Sequence, residues 1–299
     1  MDRVSKIIHL DWARKRGIYG KGVCVAIIDT GIAPHPDFIY RKKRIVDFYD
    51  VLRGRIEPYD DSGHGTHVAG ILAGSGVASA GRYMGVAPEC SLVSVKVLNR
   101  KGNGSIADVL AGFDWVMRNK ERYNIRILNI SVGTAIDKDY SEDSDLVRGV
   151  NELWDAGIVV VAAAGNNGPL PQSIGSPGNS RKVITVGASD DDVLVELDGS
   201  RIKDYSSRGP TKDCIKKPDI VVPGSNIVSC SYRGGYTVKS GTSMATPIVS
   251  GAVALLLSRY QDMTPLEVKL RLKTRAVDMG MPHGKQGWGL LDIEKLLSG

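Results

Sequence analysis

Apolar positions in this chain fall into short continuous runs separated by stretches of helical period, not into the alternation of a sheet with one wet face. Residues 23–29 (VCVAIID), 91–98 (SLVSVKVL), 127–132 (ILNISV), 158–164 (IVVVAAA) and 183–188 (VITVGA) are β-branched or small runs of strand length. Each is predicted to be a strand covered on both faces, and 44–48 and 219–222 are predicted to be two shorter ones. Between them, 64–73 (HGTHVAGILA), about 105–120 and roughly 142–156 read as helices. An apolar helix over 242–260 and an amphipathic one over 265–275 follow near the end of the chain.

Such alternation predicts an α/β fold of three layers, a mostly parallel central sheet flanked by helices. No Pro/Ser-rich linker or internal repeat divides the 299 residues. One domain over 1–299 is expected, with an N-terminal arm at 1–20 and a C-terminal helix at 290–299. In sheets of this kind functional groups gather beyond the carboxyl ends of the strands. Asp29 and the Gly165-Asn166 pair stand at such ends.

Composition adds exclusions. The hydrophobic fraction of 42% and charged fraction of 24% are ordinary for a soluble globular chain, while 35 glycines predict many tight turns. The net charge of +6 comes from scattered residues. The longest basic cluster, Arg41-Lys42-Lys43-Arg44, reads as a solvated loop before a strand, and no basic stripe with interleaved aromatics supports nucleic-acid binding. Cys24, Cys90, Cys214 and Cys230 lie far apart without metal-ligand spacing and are expected to be free thiols. No apolar run reaches membrane-spanning length, and the charged start Met1 to Lys6 lacks the apolar core of a signal peptide. As written, the chain is expected to be a cytoplasmic monomer; a leader or propeptide removed from a precursor would instead make it secreted.

Three short motifs carry the chemistry. Asp29-Thr30-Gly31 places an acid at the end of a buried strand, where it is either a turn cap or a functional carboxylate. His64-Gly65-Thr66-His67-Val68-Ala69-Gly70 opens a helix with a histidine. Its second histidine invites a metal reading, but further ligands and the HExxH pattern are missing. Gly65 and Gly70 imply that this helix packs closely against other backbone. Gly241-Thr242-Ser243-Met244-Ala245-Thr246-Pro247 opens the apolar helix with a serine, either an N-cap or a hydroxyl in the positive field of the helix start. Pro247 falls early in that helix, where a missing N–H costs little.

Together, in the order Asp, His, Ser, these motifs resemble the subtilisin family of serine endopeptidases (peptidase S8), the reference case for that order. Gly85-Val86-Ala87-Pro88, Ser131-Val132-Gly133, Ala163-Ala164-Gly165-Asn166 and Ser206-Ser207-Arg208-Gly209-Pro210 extend the resemblance over about residues 23–292. It implies hydrolysis of peptide bonds through an acyl-enzyme. Ser243 would be the nucleophile, His64 the base and Asp29 its orienting carboxylate, with Asn166 and the Ser243 N–H as oxyanion donors. It also implies substrate edges at Gly102, Asn103 and Gly104 and at Ser131, Val132 and Gly133. Val132 and Gly165 would wall a pocket based on Gly175 for a large apolar or aromatic side chain before the cut. His67 matches a structural position. Asp60 and Asp61 either favour a basic residue one position further back or are turn residues.

No cofactor is expected. The family's tight calcium loop corresponds to residues 74–84 (GSGVASAGRYM), which hold no carboxylate; Asp37 alone matches one calcium ligand, and a weaker calcium site elsewhere stays open. Expected partners are protein or peptide substrates, not nucleic acid or membrane. Two further readings are an idle peptide-binding scaffold, opposed by the intact Asp29, His64, Ser243 and Asn166, and a hydrolase with a Ser-Glu-Asp triad, opposed by the complete His64 motif.

Overall fold

A computed structural model describes residues 1–40, 43–132, 143–197 and 199–299. Its strands are β1 (Cys24–Asp29), β2 (Ile45–Asp50), β3 (Ser91–Lys96), β4 (Ile125–Ile130), β5 (Val159–Ala163), β6 (Ile184–Ala188), β7 (Val195–Leu197), β8 (Ser200–Ile202), β9 (Ile220–Val222), β10 (Ile227–Cys230) and β11 (Tyr236–Lys239). Its helices are α1 (Asp2–Ile7), α2 (Asp11–Arg14), α3 (Pro36–Ile39), α4 (His64–Ala73), α5 (Ile106–Tyr123), α6 (Asp145–Asp155), α7 (Thr242–Arg259), α8 (Pro265–Arg275), α9 (His283–Gln286) and α10 (Ile293–Leu297).

The predicted apolar runs form one parallel sheet in the order β2-β3-β1-β4-β5-β6-β9. Helices α4 and α7 cover one face and α5 and α6 the other, which is the expected three-layer α/β arrangement. After β1 the chain builds β2 and β3 on one side and then crosses to β4 on the other. Asp29, the last residue of β1, therefore lies at the reversal of strand order, where such sheets open a crevice. Residues from Met244 to Leu257 of α7 are all buried, which explains why this helix is apolar all round and shows no stripe. Its sixth residue is Pro247, deeper than the first turn, so the bond that an N–H there would make to the Ser243 carbonyl is missing. At its start α5 carries a capping box, with Ser105 Oγ accepting from the Asp108 N–H at 3.1 Å and Asp108 Oδ2 accepting from the Ser105 N–H at 2.9 Å.

Several expectations need revision. Residues 1–20 carry α1 and α2, and Val4, Ile8, Leu10 and Ala13 of this segment are buried in the core. The basic cluster is not a solvated loop throughout. Residues 41 and 42 lie outside the described residues, Lys43 is exposed, and Arg44 is buried, donating to the carbonyls of Asp37 and Ala73. The start of the helix expected from about 142 also lies outside the described residues, and α6 begins at Asp145. All four cysteines are free, with Cys24, Cys90 and Cys230 buried and Cys214 exposed. Burial pushes the Cys24 and Cys90 thiols up to about 12 and raises Cys230 as well. Among the described residues no helix is long and apolar enough to cross a membrane.

The β10–β11 hairpin, not foreseen from the sequence, lies against α4. His67 Nε2 donates to the Ile227 carbonyl at 3.0 Å and to the Thr237 carbonyl at 3.2 Å, joining the helix to both strands. At Gly70 a Cβ would come 2.8 Å from Cys230 Sγ, so helix and hairpin touch with nothing between them.

Burial, reinforced by the cations of Lys239 and His64, lowers the His67 pKa to about 3. Between the ordinary value near 6.5 and about 3 the unfolded chain binds a proton that the folded one refuses, so stability falls as pH falls through this window. The loss from His67 is on the order of 4 kcal/mol by pH 3. Urea unfolding at pH 7 and pH 4.5 checks this: His67→Gln, which keeps an N–H donor, should be less stable at pH 7 but lose less on acidification.

Candidate active site

The site forms where three chain turns meet at the carboxyl edge of the sheet. Asp29 ends β1, is 1% exposed, and accepts from the following Thr30 N–H at 2.7 Å. His64 is the first residue of α4, and its Nδ1 lies 2.7 Å and 3.0 Å from the two Asp29 oxygens. This carboxylate accepts a hydrogen bond from Nδ1–H, which leaves Nε2 as the available base on the cleft wall. Burial acts to lower the His64 pKa, but the Asp29 charge and hydrogen bond outweigh it and hold it above its ordinary value.

Such an approach is possible because of Gly65. A Cβ there would collide with the Gly31 carbonyl and come 3.1 Å from Asp29 Oδ1. The turn before α4 is organised by Asp60, buried, whose Oδ1 accepts from Thr30 Oγ1 at 2.9 Å and from the N–H groups of Ser62 and Gly63. Its Oδ2 accepts from the Thr66 N–H and hydroxyl at 2.9 and 2.7 Å. Thr30 Oγ1 in turn accepts the Gly65 N–H at 2.9 Å. Asp60 is therefore a structural tie between strand end and helix start, with both oxygens engaged, while Asp61 is paired through Oδ1 with Lys96 at 2.7 Å and keeps part of its side chain exposed.

Lys96 is a residue that the sequence reading passed over as part of an apolar strand. Its Nζ, 1% exposed as a residue, donates at 2.7 Å to the carbonyls of Thr30 and Leu98 and to Asp61. One buried cation thus fixes the turn after Asp29 and the start of the 98–104 segment. A lysine at the carboxyl end of a predicted buried strand was the signal to look for.

Ser243 occupies the first turn of α7, where its N–H has no intrahelical acceptor. Its hydroxyl donates to the Ser131 carbonyl at 2.6 Å and makes no hydrogen bond to His64 in this conformation. Asn166 follows β5. Its Oδ1 accepts from the Thr242 N–H at 2.9 Å and the Thr242 hydroxyl at 3.1 Å, which orients the amide and leaves the Nδ2 hydrogens free.

Asp29 lies behind this cleft, whose volume is about 830 Å³; Gly102, Asn103, Gly104, Ser131, Val132, Gly165 and Gly175 line it with His64, Asn166 and Ser243. Gly133 lies outside the described residues. In the 99–103 turn the Gly102 N–H and the Asn103 carbonyl bond Asn99, which leaves the Gly102 carbonyl and both polar groups of Gly104 for another chain. Ile130, Leu146, Ala163, Ser176 and Pro177 line the same cleft with Val132 and Gly165.

For a metal the strongest grouping among the described residues is His35, Asp37 and Cys230, all buried. Its ligand atoms are already engaged. Asp37 accepts from the N–H groups of Gly76 and Ala78 at 3.1 and 3.0 Å, from the Tyr236 hydroxyl at 3.0 Å and from the Cys230 thiol at 3.6 Å. His35 Nδ1 accepts the Asp37 N–H at 3.1 Å, and its Nε2 donates to the Gly235 carbonyl at 2.9 Å. The donor set does not fit a calcium ion, because a thiol and an imidazole replace the oxygens it prefers.

Comparison with known proteins gives a consistent picture. The profile of the subtilase family (peptidase S8) matches residues 20–289. Serine protease AprX of Bacillus subtilis (strain 168) is 45% identical over 293 residues, covering 91% of this chain and 66% of that protein, so the chain spans just under two thirds of AprX. Subtilisin Savinase of Lederbergia lenta is 33% identical over 94% of this chain and 93% of its own length. A cold adapted subtilisin-like serine proteinase superposes with a TM-score of 0.74 at 33% identity, covering 92% of this chain and 90% of that one. The CspB protease of Clostridium perfringens superposes with a TM-score of 0.87 over 99% of this chain and 98% of its own; at 19% identity this speaks to the fold alone.

The Asp60 tie generates a test. Asp60→Ala should lower stability by about 3 kcal/mol, through the buried donors it leaves unpaired, and should slow turnover although Asp60 touches no substrate. If Asp60 instead read a basic substrate residue, the loss would be confined to basic peptides; a melting curve and a peptide pair differing only at that residue separate the two.

Proposed function

This chain belongs to the subtilase family as a subtilisin-type serine endopeptidase, and on that premise we propose that Asp29, His64 and Ser243 are its catalytic triad. The observation that carries the assignment is the convergence of the Asp29-bound imidazole, the Ser243 hydroxyl and the Thr242-pinned Asn166 amide on one cleft. A serine hydroxyl is a weak nucleophile at neutral pH and needs a base at the moment of attack. His64 Nε2 takes the Ser243 proton once the hydroxyl turns from the Ser131 carbonyl toward the imidazole. Asp29 stays ionised and stabilises the imidazolium, which then protonates the leaving amine. The negative oxygen of the tetrahedral intermediate is received by Asn166 Nδ2 and the Ser243 N–H, both free of other partners and the latter at a helix N-terminus. Water repeats the sequence on the acyl-enzyme and releases the acid.

On the same reading the substrate runs extended between Gly102–Gly104 and the Ser131–Val132 edge, donating and accepting as an added strand. The apolar side chains of Ile130, Val132, Leu146 and Pro177 in the cleft wall favour a large apolar or aromatic side chain before the cut. The 74–84 segment is held by Asp37 without calcium, since both carboxylate oxygens already accept protein donors.

Hydrolysis of casein and of an aromatic peptide panel tests the assignment directly. Ser243→Ala should lose at least about 10³-fold in turnover, and Asn166→Ala roughly 10²–10³-fold, the magnitude that subtilisin itself sets for such a donor. Wild-type rates and melting temperature should be the same with and without EDTA; a large EDTA effect would sink the calcium-free reading of the Asp37 loop. A folded but inactive wild type would favour an idle peptide-binding scaffold. The pH profile gives a second check. His64 must be neutral to act, so kcat/KM should fall with acid through a pKa above 6.5. In Asp29→Asn that limb should move to lower pH while turnover drops about 10⁴-fold.

A further inference from the structure

Among the described residues the cleft is electrically one-sided. Its wall carries two lysines, Lys101 and Lys239, and no carboxylate among the described residues. Lys101 is exposed, whereas Lys239 is half-buried. The backbone of Lys239 pairs with Ile227 in the hairpin, but its side-chain ammonium has no hydrogen-bond or ion-pair partner among the described residues. A half-buried cation left without a partner in a binding cleft calls for an anion from the ligand.

Lys239 enters the cleft from an element that none of the other walls uses. It is the last residue of β11, and the β10–β11 hairpin is seated on α4 through His67 and Gly70. The start of α4 meets the Asp29–Gly31 turn through Gly65, on the side that also carries β3 and the Gly102–Gly104 edge. His64 stands at the tip of the helix on which the hairpin is seated. Lys239 lines the cleft together with His64 and lies close enough for its charge to bear on the imidazole. In the proposed reaction His64 hands its proton to the leaving amine, so a cation beside it would face the residue just beyond the cut.

We propose that Lys239 makes this protease selective for substrates with an acidic residue immediately beyond the scissile bond. The inference rests on the peptidase reading given above. An Asp or Glu carboxylate there would pair with Lys239 at the cleft wall, while a Lys or Arg would meet like charge at a partly desolvated site. Ser240 and Gly241 connect Lys239 to the turn before Thr242 and Ser243, so the pairing would also hold the leaving segment in register with the nucleophile.

The test uses internally quenched peptides of one sequence, varied only at the residue after the cut among Asp, Glu, Ala and Lys. Wild type should cleave the acidic peptides with kcat/KM about 10-fold above the Lys peptide, and added salt should shrink the ratio. Lys239→Met should bring the ratio to within about 2-fold, and Lys239→Glu should reverse it. Equal rates for all peptides in wild type, or an acidic preference unchanged in Lys239→Glu, would overturn the proposal while leaving the peptidase reading intact. If wild type cleaves none of them, the peptidase reading fails instead. Binding of the same uncleaved peptides to Ser243→Ala then still decides on Lys239: affinity should follow the order acidic, neutral, basic and lose that order in the double variant with Lys239→Met.

Discussion

The contact on which the rest of the site depends is the approach of the first turn of α4 to the end of β1. His64 reaches Asp29 only because the next residue has no side chain, so that helix backbone rests on the Gly31 carbonyl. A helix end pressed against a strand end would otherwise leave polar backbone groups unpaired in a dry place. Asp60 resolves this with one carboxylate that accepts five donors from the turn, the helix start and Thr30. Lys96 does the complementary job for acceptors, donating to the Thr30 and Leu98 carbonyls from beneath. The Asp29–His64 pair assigned to the proposed proton transfer therefore sits on a second layer of buried charge, Asp60 and Lys96, that lies outside the cleft wall.

Much of this was legible in the sequence because both the fold and the triad have local signatures. Runs such as IVVVAAA are too apolar and too short to be anything but strands covered on both faces, and β5 lies inside that run. The starts of α4 and α8 have local signals, the turn before His64 and the capping box of Thr264 and Glu267 with Pro265 as first helical residue. The charged second layer was not legible. Lys96 and Arg44 are embedded in or beside apolar runs, and only tertiary structure reveals that backbone carbonyls, not water, solvate them. The β10–β11 hairpin escaped notice because strands of four residues give too little period to recognise. With it went Lys239, whose meaning depends wholly on where the hairpin is laid.

The Asp37 neighbourhood joins several elements at one carboxylate. Asp37 gathers the N–H groups of Gly76 and Ala78 directly, while Tyr236 and Cys230 of the hairpin region bond the same carboxylate. A loop, a helix and a hairpin are thus gathered on a single buried side chain.

The distribution of thiols has a practical consequence. Cys24, Cys90 and Cys230 are shielded and carry raised pKa values, so at neutral pH they remain unreactive thiols. Cys214 is exposed, in the turn that leads into β9, the last strand in the sheet order, whereas the cleft opens near β1, β4 and β5. A maleimide therefore finds a single address on the native molecule, away from the working face. The protein can be tethered to a bead or given one fluorophore in a uniform orientation with no engineered cysteine.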